Sequence, residues 1–215
     1  MNSFNSTLVS FFFSAISRIS RDSNSSLSQK EFKKYLEPIS SRLYHDFKSI
    51  QSMTDVKTEI GKSRAFIRLA LERKLLSKHL RVLLSNLTIV EDMYKRYAFL
   101  RCEEEREQFL THLLTLNAVD LLSFTNTFTT SCLNYSLIIY SSGSLTGWIS
   151  FSGSICSTDE ISLTNVTNLF TFRHQNLGLV NTLTIGLSHS SKVFIEYCFL
   201  RNETTGHIYK LVLIK

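Results

Sequence analysis

Apolar residues in the first half of the chain recur with the spacing of an α-helix. Between Lys62 and Leu84 basic residues fill the intervals between the apolar ones, which recur at Ile67, Leu71 and Leu75 and then at Leu76, Leu80 and Leu83. This pattern predicts an amphipathic helix, either continuous or with one break. A further helix is predicted to begin near Cys102, because the glutamates at 103–105 would then lie at the positive end of its dipole. Its apolar side would be formed by Phe109, Leu110, Leu113, Leu114 and Leu116.

The segment between these helices carries its own start signal. Thr88 is followed three residues later by Glu91, which is the spacing of a capping box that satisfies free N–H groups at a helix start. The sequence therefore predicts a short helix that opens here and continues through Tyr94 and Tyr97.

After Asp120 the pattern changes to short apolar runs separated by serine, asparagine and glycine. Short apolar runs with turn signals between them are typical of β-strands. Their regular spacing predicts an antiparallel β-sandwich. The predicted strands are 136–140, 148–151, 169–172, 183–187, 193–200 and 208–214.

Composition changes at the same place. Residues 1–120 hold 33 of the 42 charged residues, whereas residues 121–215 hold nine charges and six of the seven glycines. The predicted fold class is therefore α+β with more than one domain, an all-α helical bundle followed by an antiparallel sandwich. Nineteen basic against fourteen acidic residues before position 121 give the helical half a net charge of +5. That half should prefer acidic partners, and nucleic acid, anionic lipid and an acidic protein surface all fit the charge.

Motifs for catalysis and metal binding are weak in this chain. Gly61, Lys62 and Ser63 look like the end of a phosphate-binding loop, but the motif also needs a glycine where Val56 stands. The six histidines show no HExxH pair, and the four cysteines show no CxxC spacing. We therefore expect no enzyme activity, no metal and no cofactor. Basic residues interleaved with tyrosines are more often a solvated helix face than a nucleic-acid site, so no nucleic acid is expected as a partner.

Several stretches resemble a known family. RAFIRLALERKLLSKHLRVLLS and YKRYAFLRCEEEREQFLTHLLTLNAVD, followed by FTNTFTT, closely resemble the first RUN domain of DENN domain-containing proteins of the fifth subgroup, the Rab-interacting forms A and B. HQNLGLVNTLTIG and RNETTGHIYK resemble the PLAT domain that follows the RUN domain in that family. The resemblance implies a divergent segment at 1–36, a partial RUN domain at 37–125 and a PLAT domain at 126–215.

The chain departs from the family pattern at both ends. Residues 1–36 are too few to supply the first helices of the RUN bundle. The loop LSHSS at 187–191 is shorter than the acidic loop of the family, and Val193 stands in place of a tryptophan. The chain also stops at Lys215, before the closing segment of the family. We therefore expect a fragment, a splice form or a divergent relative whose sandwich is short at its C-terminal end.

The family resemblance implies a non-catalytic module that docks a GTP-loaded Rab GTPase, as a cytoplasmic protein peripheral at Golgi and endosomal membranes. A helix face would contact the switch surface of the GTPase through apolar anchors with a charged rim. Two alternatives stay open, a module that binds phosphoinositides or other anionic lipids and a fragment without function. Phe109 and Leu113 also fit buried core positions at helical spacing. The candidate contacts are Lys95, Arg96, Arg101, Phe109, His112, Leu113 and Leu116.

Overall fold

A computed structural model describes residues 41–85, 87, 90–91, 94–143, 145–166, 169–187 and 194–211. The chain divides into two compact units, one that ends at Ser123 and one that begins at Phe124. The first is built from helices and the second from antiparallel sheets, which confirms the predicted fold class. We call them the helical unit and the sandwich unit. The domain limits at 36/37 and 125/126 stay predictions.

The helical unit is built from short helices, and α4 begins one residue after Cys102, close to its predicted start. Within the described ranges, no helix is long and apolar enough to cross a membrane. Thr88 lies outside the described residues, so the capping box stays a prediction. The described helices are Ser41–Gln51 (α1), Glu59–Glu72 (α2), Leu76–Leu84 (α3) and Glu103–Thr115 (α4), with 3₁₀-helices at Phe99–Arg101 and Leu116–Ala118.

The amphipathic stretch at 62–84 is broken between α2 and α3. Lys74 adopts a left-handed conformation with a φ of 59°. The N–H of Leu75 donates to the carbonyl of Ala70 at 2.8 Å. The N–H of Lys74 donates to the carbonyl of Leu71 at 3.0 Å. These two bonds form a Schellman motif, which ends a helix by satisfying its last carbonyl groups.

The break changes which residues of α2 reach the core. Phe66 and Leu69 are buried, whereas Ile67 and Leu71, predicted on the apolar face, are only half-buried. Since α2 and α3 are separate helices, each turns its own face inward, and one continuous stripe does not describe both. The prediction was right for α3, where the buried apolar residues include Leu76, Leu80 and Leu83.

A buried ionic cluster joins three elements of the helical unit. Asp46 of α1 is fully buried and accepts a hydrogen bond from the guanidinium of Arg73, which caps α2. The second carboxylate oxygen of Asp46 lies 2.9 Å from Nε2 of His79 on α3. The His79 ring stacks on Phe66, with ring centroids 5.7 Å apart. Because buried charges are tolerated only when paired, the cluster fixes how these helices meet.

The sandwich unit contains two antiparallel sheets. Among the described strands, the sheet orders are β4-β1-β6-β7 and β3-β2-β5. All neighbouring strands pair antiparallel. The strands are Cys132–Ser141 (β1), Leu145–Gly153 (β2), Ile161–Val166 (β3), Leu169–Gln175 (β4), Val180–Leu187 (β5), Ile195–Asn202 (β6) and Ile208–Leu211 (β7).

Aromatic side chains fill the space between the sheets. The Phe151 ring of β2 stacks on Phe172 of β4 with centroids 5.5 Å apart, and Phe172 stacks on Tyr135 of β1 at 5.3 Å. Burial raises the pKa of Tyr135 to about 12. Its hydroxyl oxygen accepts the N–H of Leu177 at 3.0 Å, so the polar end of this core side chain is satisfied.

The side chain of the buried Asn176 connects loop segments of the sandwich unit. Nδ2 of Asn176 donates to the carbonyls of Thr125 at 2.9 Å and Phe128 at 3.1 Å. Its Oδ1 accepts the N–H of Gly178 at 3.0 Å. Each of these bonds joins a neutral side chain to the backbone.

Six of the described strands lie where the sequence predicted strands, although their bounds differ. β3 was missed, because Ile161–Val166 is short and rich in Ser, Thr and Asn, which are also turn residues. Parts of two predicted strands, Val193 and residues 212–214, lie outside the described residues. So does most of the shortened loop, at 188–191.

Candidate functional site

Helix α4 is anchored to the helical unit along a narrow line. Of the thirteen residues of α4, all of them described, Leu110 alone is fully buried. Its carbonyl accepts the Ser77 hydroxyl of α3 at 2.8 Å. On the same side, Nη1 of Arg81 lies 2.6 Å from the carboxylate of Glu107. The other apolar residues of α4 are therefore only partly covered.

Three candidate contacts lie on one face of α4, and a fourth, Leu116, follows directly at the start of the next 3₁₀-helix. Phe109, His112, Leu113 and Leu116 follow the spacing i, i+3, i+4 and i+7, which places them along one side of a helix. We call this set the α4 face. His112 is exposed, Leu116 is 41% exposed, and Phe109 and Leu113 are half-buried. Phe109 and Leu113 are thus neither fully core nor fully surface residues.

Phe109 has a structural partner. Its ring packs edge-on against Phe99 of the preceding 3₁₀-helix, with centroids 5.4 Å apart. Such aromatic pairs stabilise a fold beyond the area that they bury. Phe109 therefore supports α4 as well as forming part of its face, and Phe99 belongs to the same surface although the sequence did not single it out.

The basic segment before α4 is a turn rather than the predicted helix through Tyr97. Lys95, Arg96 and Tyr97 are all exposed, Tyr97 to 83%. The N–H of Ala98 donates to the carbonyl of Lys95 at 2.9 Å and closes the turn. Nζ of Lys95 lies 5.9 Å from the centroid of the Tyr97 ring, within the range of a cation–π contact. The position of Tyr97 between basic residues was the available sequence signal for a surface role.

Arg101 is directed into the helical unit. Its Nη1 donates to the carbonyl of Tyr94 at 3.1 Å, and Nη2 lies 3.5 Å from the carboxylate of Glu91. Its side chain is 25% exposed. Burial raises the pKa of Tyr94 to about 12, consistent with a packed segment around this arginine. The main role of Arg101 in the structure is to hold the backbone before α4.

The structure thus brings four of the seven candidates together on one helix face and leaves Lys95 and Arg96 on a separate exposed turn. Within the described ranges, no group of three or more His, Cys, Asp or Glu side chains could hold a metal ion. A helix face with partly exposed apolar residues and a histidine is suited to contact with another macromolecule.

A family model described as the RUN domain matches residues 4–125. The chain belongs to the RUN domain family. RUN domains are in general protein-interaction modules linked to small GTPase signalling and trafficking. The matched region begins at residue 4 and so includes most of the segment that the sequence interpretation placed before the domain.

A human protein is similar to part of this chain. RUN and FYVE domain-containing protein 4 of Homo sapiens is 37% identical to the chain over 70 residues, which are 33% of this chain and 12% of that protein. The chain therefore spans only a small part of the length of this curated relative.

Proposed function

We propose that this chain is a binding module that docks a Rab-type small GTPase in its GTP-bound state through the α4 face. The incomplete burial of α4 within a RUN domain carries the proposal. Phe109 and Leu113 keep part of their surface exposed, and Leu116 extends the same face at 41% exposure. The switch regions of a small GTPase are ordered by the γ-phosphate. An apolar strip can recognise that ordered surface.

The exposed turn before α4 supplies the charged rim of this proposed contact. Lys95 and Arg96 carry two positive charges beside the exposed ring of Tyr97. Charges at the rim of an interface mainly accelerate association and select the partner. We exclude Arg101 from direct contact in this proposal, because its guanidinium already binds the carbonyl of Tyr94.

The resemblance to the fifth DENN subgroup also suggests an identity for the sandwich unit and a location in the cell. We propose that the sandwich unit is a PLAT domain and that the chain acts in the cytoplasm, peripheral at Golgi or endosomal membranes. Two facing antiparallel sheets support the PLAT assignment at the level of architecture. The RUN match supports a role in trafficking.

A pull-down with the full chain and a panel of Rab GTPases tests the proposal. We expect one or a few Rabs to be retained when loaded with a non-hydrolysable GTP analogue and to be lost when loaded with GDP. Equal retention of the two nucleotide forms across the panel would contradict the proposal, because a contact outside the switch regions does not read the nucleotide.

Two leucines near the end of α4 provide a matched pair of variants. Leu116 belongs to the α4 face, whereas Leu114, 56% exposed, lies nearly opposite, since successive helical residues are rotated by about 100°. Leu116→Asp should weaken binding at least about tenfold, the range of a central interface residue. Leu114→Asp should leave it within about twofold. Similar losses in both variants would show that the α4 face is not the contact.

A second candidate function, binding to an anionic membrane, is favoured by the outer face of the sheet β4-β1-β6-β7. Leu169, Tyr140 and Ile208 are exposed there, at 62%, 40% and 62%. Lys210 is exposed beside Phe199, its partner on the neighbouring strand. Aromatic and apolar groups with adjacent basic residues suit a lipid interface. Salt-sensitive flotation with phosphatidylserine vesicles, in the absence of any GTPase, would favour this function.

A further inference from the structure

The chain contains one tryptophan, and it lies on the outer face of the sheet β3-β2-β5. Ile149 and Phe151 of β2 are buried, and Phe151 contacts the opposite sheet. Because side chains alternate along a strand, Trp148 faces outward. It is half-buried although no strand of the other sheet covers this face among the described residues.

Two glycines allow the indole to lie close to the sheet. Trp148 pairs with Gly186 of β5, and a Cβ atom at Gly186 would lie 2.2 Å from Cε2 and Nε1 of the indole. A Cβ atom at Gly147 would lie 2.0 Å from the carbonyl oxygen of Gly186, so β2 and β5 approach closely here. Glycine inside a strand often marks such a close approach. The indole is thereby held over the backbone of β5.

The indole forms part of a cleft of about 510 Å³ that spans all three strands. This volume is within the range of ordinary ligand sites. Ser162 of β3 and Glu160 line the cleft beside Trp148, and both are exposed. Among the described residues that line the cleft, Glu160 alone has a charged side chain. The cleft therefore combines an aromatic surface, a hydroxyl group and one negative charge.

The backbone holds Glu160 in place from both sides. Thr158, two residues earlier, accepts the N–H of Phe151 at its hydroxyl at 2.9 Å and donates its own N–H to the carbonyl of Phe151 at 2.8 Å. Ile161, one residue later, pairs with Ile149 of β2. The carboxylate thus belongs to a segment fixed against β2 rather than to a free loop end.

We propose that this cleft, which we call the Trp148 cleft, binds an arginine side chain of a basic, extended peptide segment in a partner protein. A guanidinium stacks well on an aromatic face and presents N–H donors in a plane. The Glu160 carboxylate and the Ser162 hydroxyl are acceptors for such donors. A quaternary ammonium ligand would have no N–H groups for these acceptors, and an anionic bilayer would be repelled by Glu160. The inference goes beyond GTPase docking and does not depend on it.

The lone tryptophan makes the test direct, since its fluorescence reports on the cleft in the full chain. A Gly/Ser peptide with two arginines should quench Trp148 fluorescence in a saturable, salt-sensitive manner. The same peptide with lysine should bind more weakly, and with glutamine it should have no effect. Equal responses to the arginine and glutamine peptides would overturn the proposal. A blue shift caused by phosphatidylcholine or phosphatidylserine vesicles, without response to the arginine peptide, would assign the cleft to a membrane instead.

Two neighbouring acids provide the matched variants. Glu160→Gln should weaken binding of the arginine peptide about fivefold, which corresponds to the loss of one partly exposed ion pair. Asp159→Asn removes the same charge one residue away but outside the cleft lining, and should leave binding within about 1.5-fold. Equal weakening in both would indicate unspecific charge attraction and overturn the site. Since Glu160 is exposed, both variants should keep the thermal unfolding midpoint of the native chain.

Discussion

The two units of the chain satisfy their buried polar groups in different ways. In the helical unit a carboxylate, a guanidinium and an imidazole meet in the core at Asp46, Arg73 and His79. In the sandwich unit the neutral amide of Asn176 bonds backbone groups of loops. Tyr135 does the same with its hydroxyl group. The helical unit, which has most of the charged residues, also has an ion-paired cluster in its core. The core of the sandwich unit depends on neutral hydrogen bonds instead.

The two units should therefore differ in how much stability they lose when a buried polar side chain is replaced. Removing one partner from a buried ion pair leaves an uncompensated charge, whereas removing a neutral group leaves an unpaired dipole, which costs less. The two effects can be measured separately in the intact chain. Far-UV circular dichroism at 222 nm reports mainly on the helices, and the fluorescence of Trp148 reports on the sandwich unit.

The largest effect is expected for Asp46→Asn. The substitution leaves Arg73 buried without its carboxylate and should lower the free energy of unfolding of the helical unit by about 3–5 kcal/mol. Urea unfolding followed at 222 nm measures it. The control is Asp120→Asn, which removes the exposed carboxylate that pairs with Lys74 and should cost less than about 1 kcal/mol. Equal losses would mean that the buried cluster contributes no more than a surface pair.

A smaller loss is expected in the sandwich unit for Asn176→Ala. The carbonyls of Thr125 and Phe128 and the N–H of Gly178 would lose their side-chain partner, at a cost of about 2–3 kcal/mol. Unfolding followed by Trp148 fluorescence should shift, and the signal at 222 nm should change little. The exposed Asn181 of β5 offers the control, because Asn181→Ala should shift the fluorescence transition only slightly. A shift in the helical signal alone would contradict the assignment.

Alkaline pH should weaken the sandwich unit more than the helical unit. Burial raises the pKa of Tyr135 to about 12 and of Cys198 to about 11. A raised pKa in the folded state means that stability is complete below the unfolded-state pKa and falls as pH rises through the folded one. Tyr135 alone should cost about 1 kcal/mol near pH 11.

Urea midpoints at pH 8, 10 and 11, compared between the native chain and Tyr135→Phe, measure this pH dependence. The variant should lose stability less steeply between pH 10 and 11, although it also loses the hydrogen bond from the N–H of Leu177. The helical unit should respond more weakly, because burial raises the pKa of Tyr94 there to about 12, whereas in the sandwich unit it raises the pKa of both Tyr135 and Cys198. A steeper decline at 222 nm than in fluorescence would reverse the expected order.

The smallest effect is expected at the end of α2. Lys74→Gly should relieve the strain that a side chain causes in the left-handed conformation. The same substitution increases the backbone entropy of the unfolded chain and removes the ion pair with Asp120, and both changes are destabilising. The balance should stabilise the helical unit by about 0.5 kcal/mol. Lys78→Gly, at an exposed position inside α3, should instead destabilise it by about 1 kcal/mol. A destabilising effect of both would contradict the strain at Lys74.

The sequence predicted elements where a local signal was strong. The glutamates at 103–105 indicated the start of α4, and alternating apolar runs indicated most strands. The helix break at Lys74 carries no glycine or proline, so its position depends on tertiary packing and was not predictable from propensity. β3 at Ile161–Val166 has the composition of a loop and becomes a strand because β2 pairs with it.

The candidate site was predictable only in part, for the same reason. Helical spacing was sufficient to place Phe109, His112 and Leu113 on one face. It could not show that Arg101 turns inward to the carbonyl of Tyr94, because that contact depends on the turn before α4. The Trp148 cleft was missed because its lining comes from three strands that are distant in sequence.

The pairing of β1 has a consequence for the order in which the chain acquires structure during synthesis. Ser136 on β1 bonds the carboxylate of Glu203, 67 residues later, whereas Asp46 and His79 of the helical unit are separated by 33 residues. Contacts that close shorter loops form earlier and faster. As the ribosome releases the chain, the ionic cluster can therefore assemble before β6, the pairing partner of β1, has been synthesised. During that interval the apolar strands of the sheet are unpaired, which makes them the part of the nascent chain most prone to aggregate.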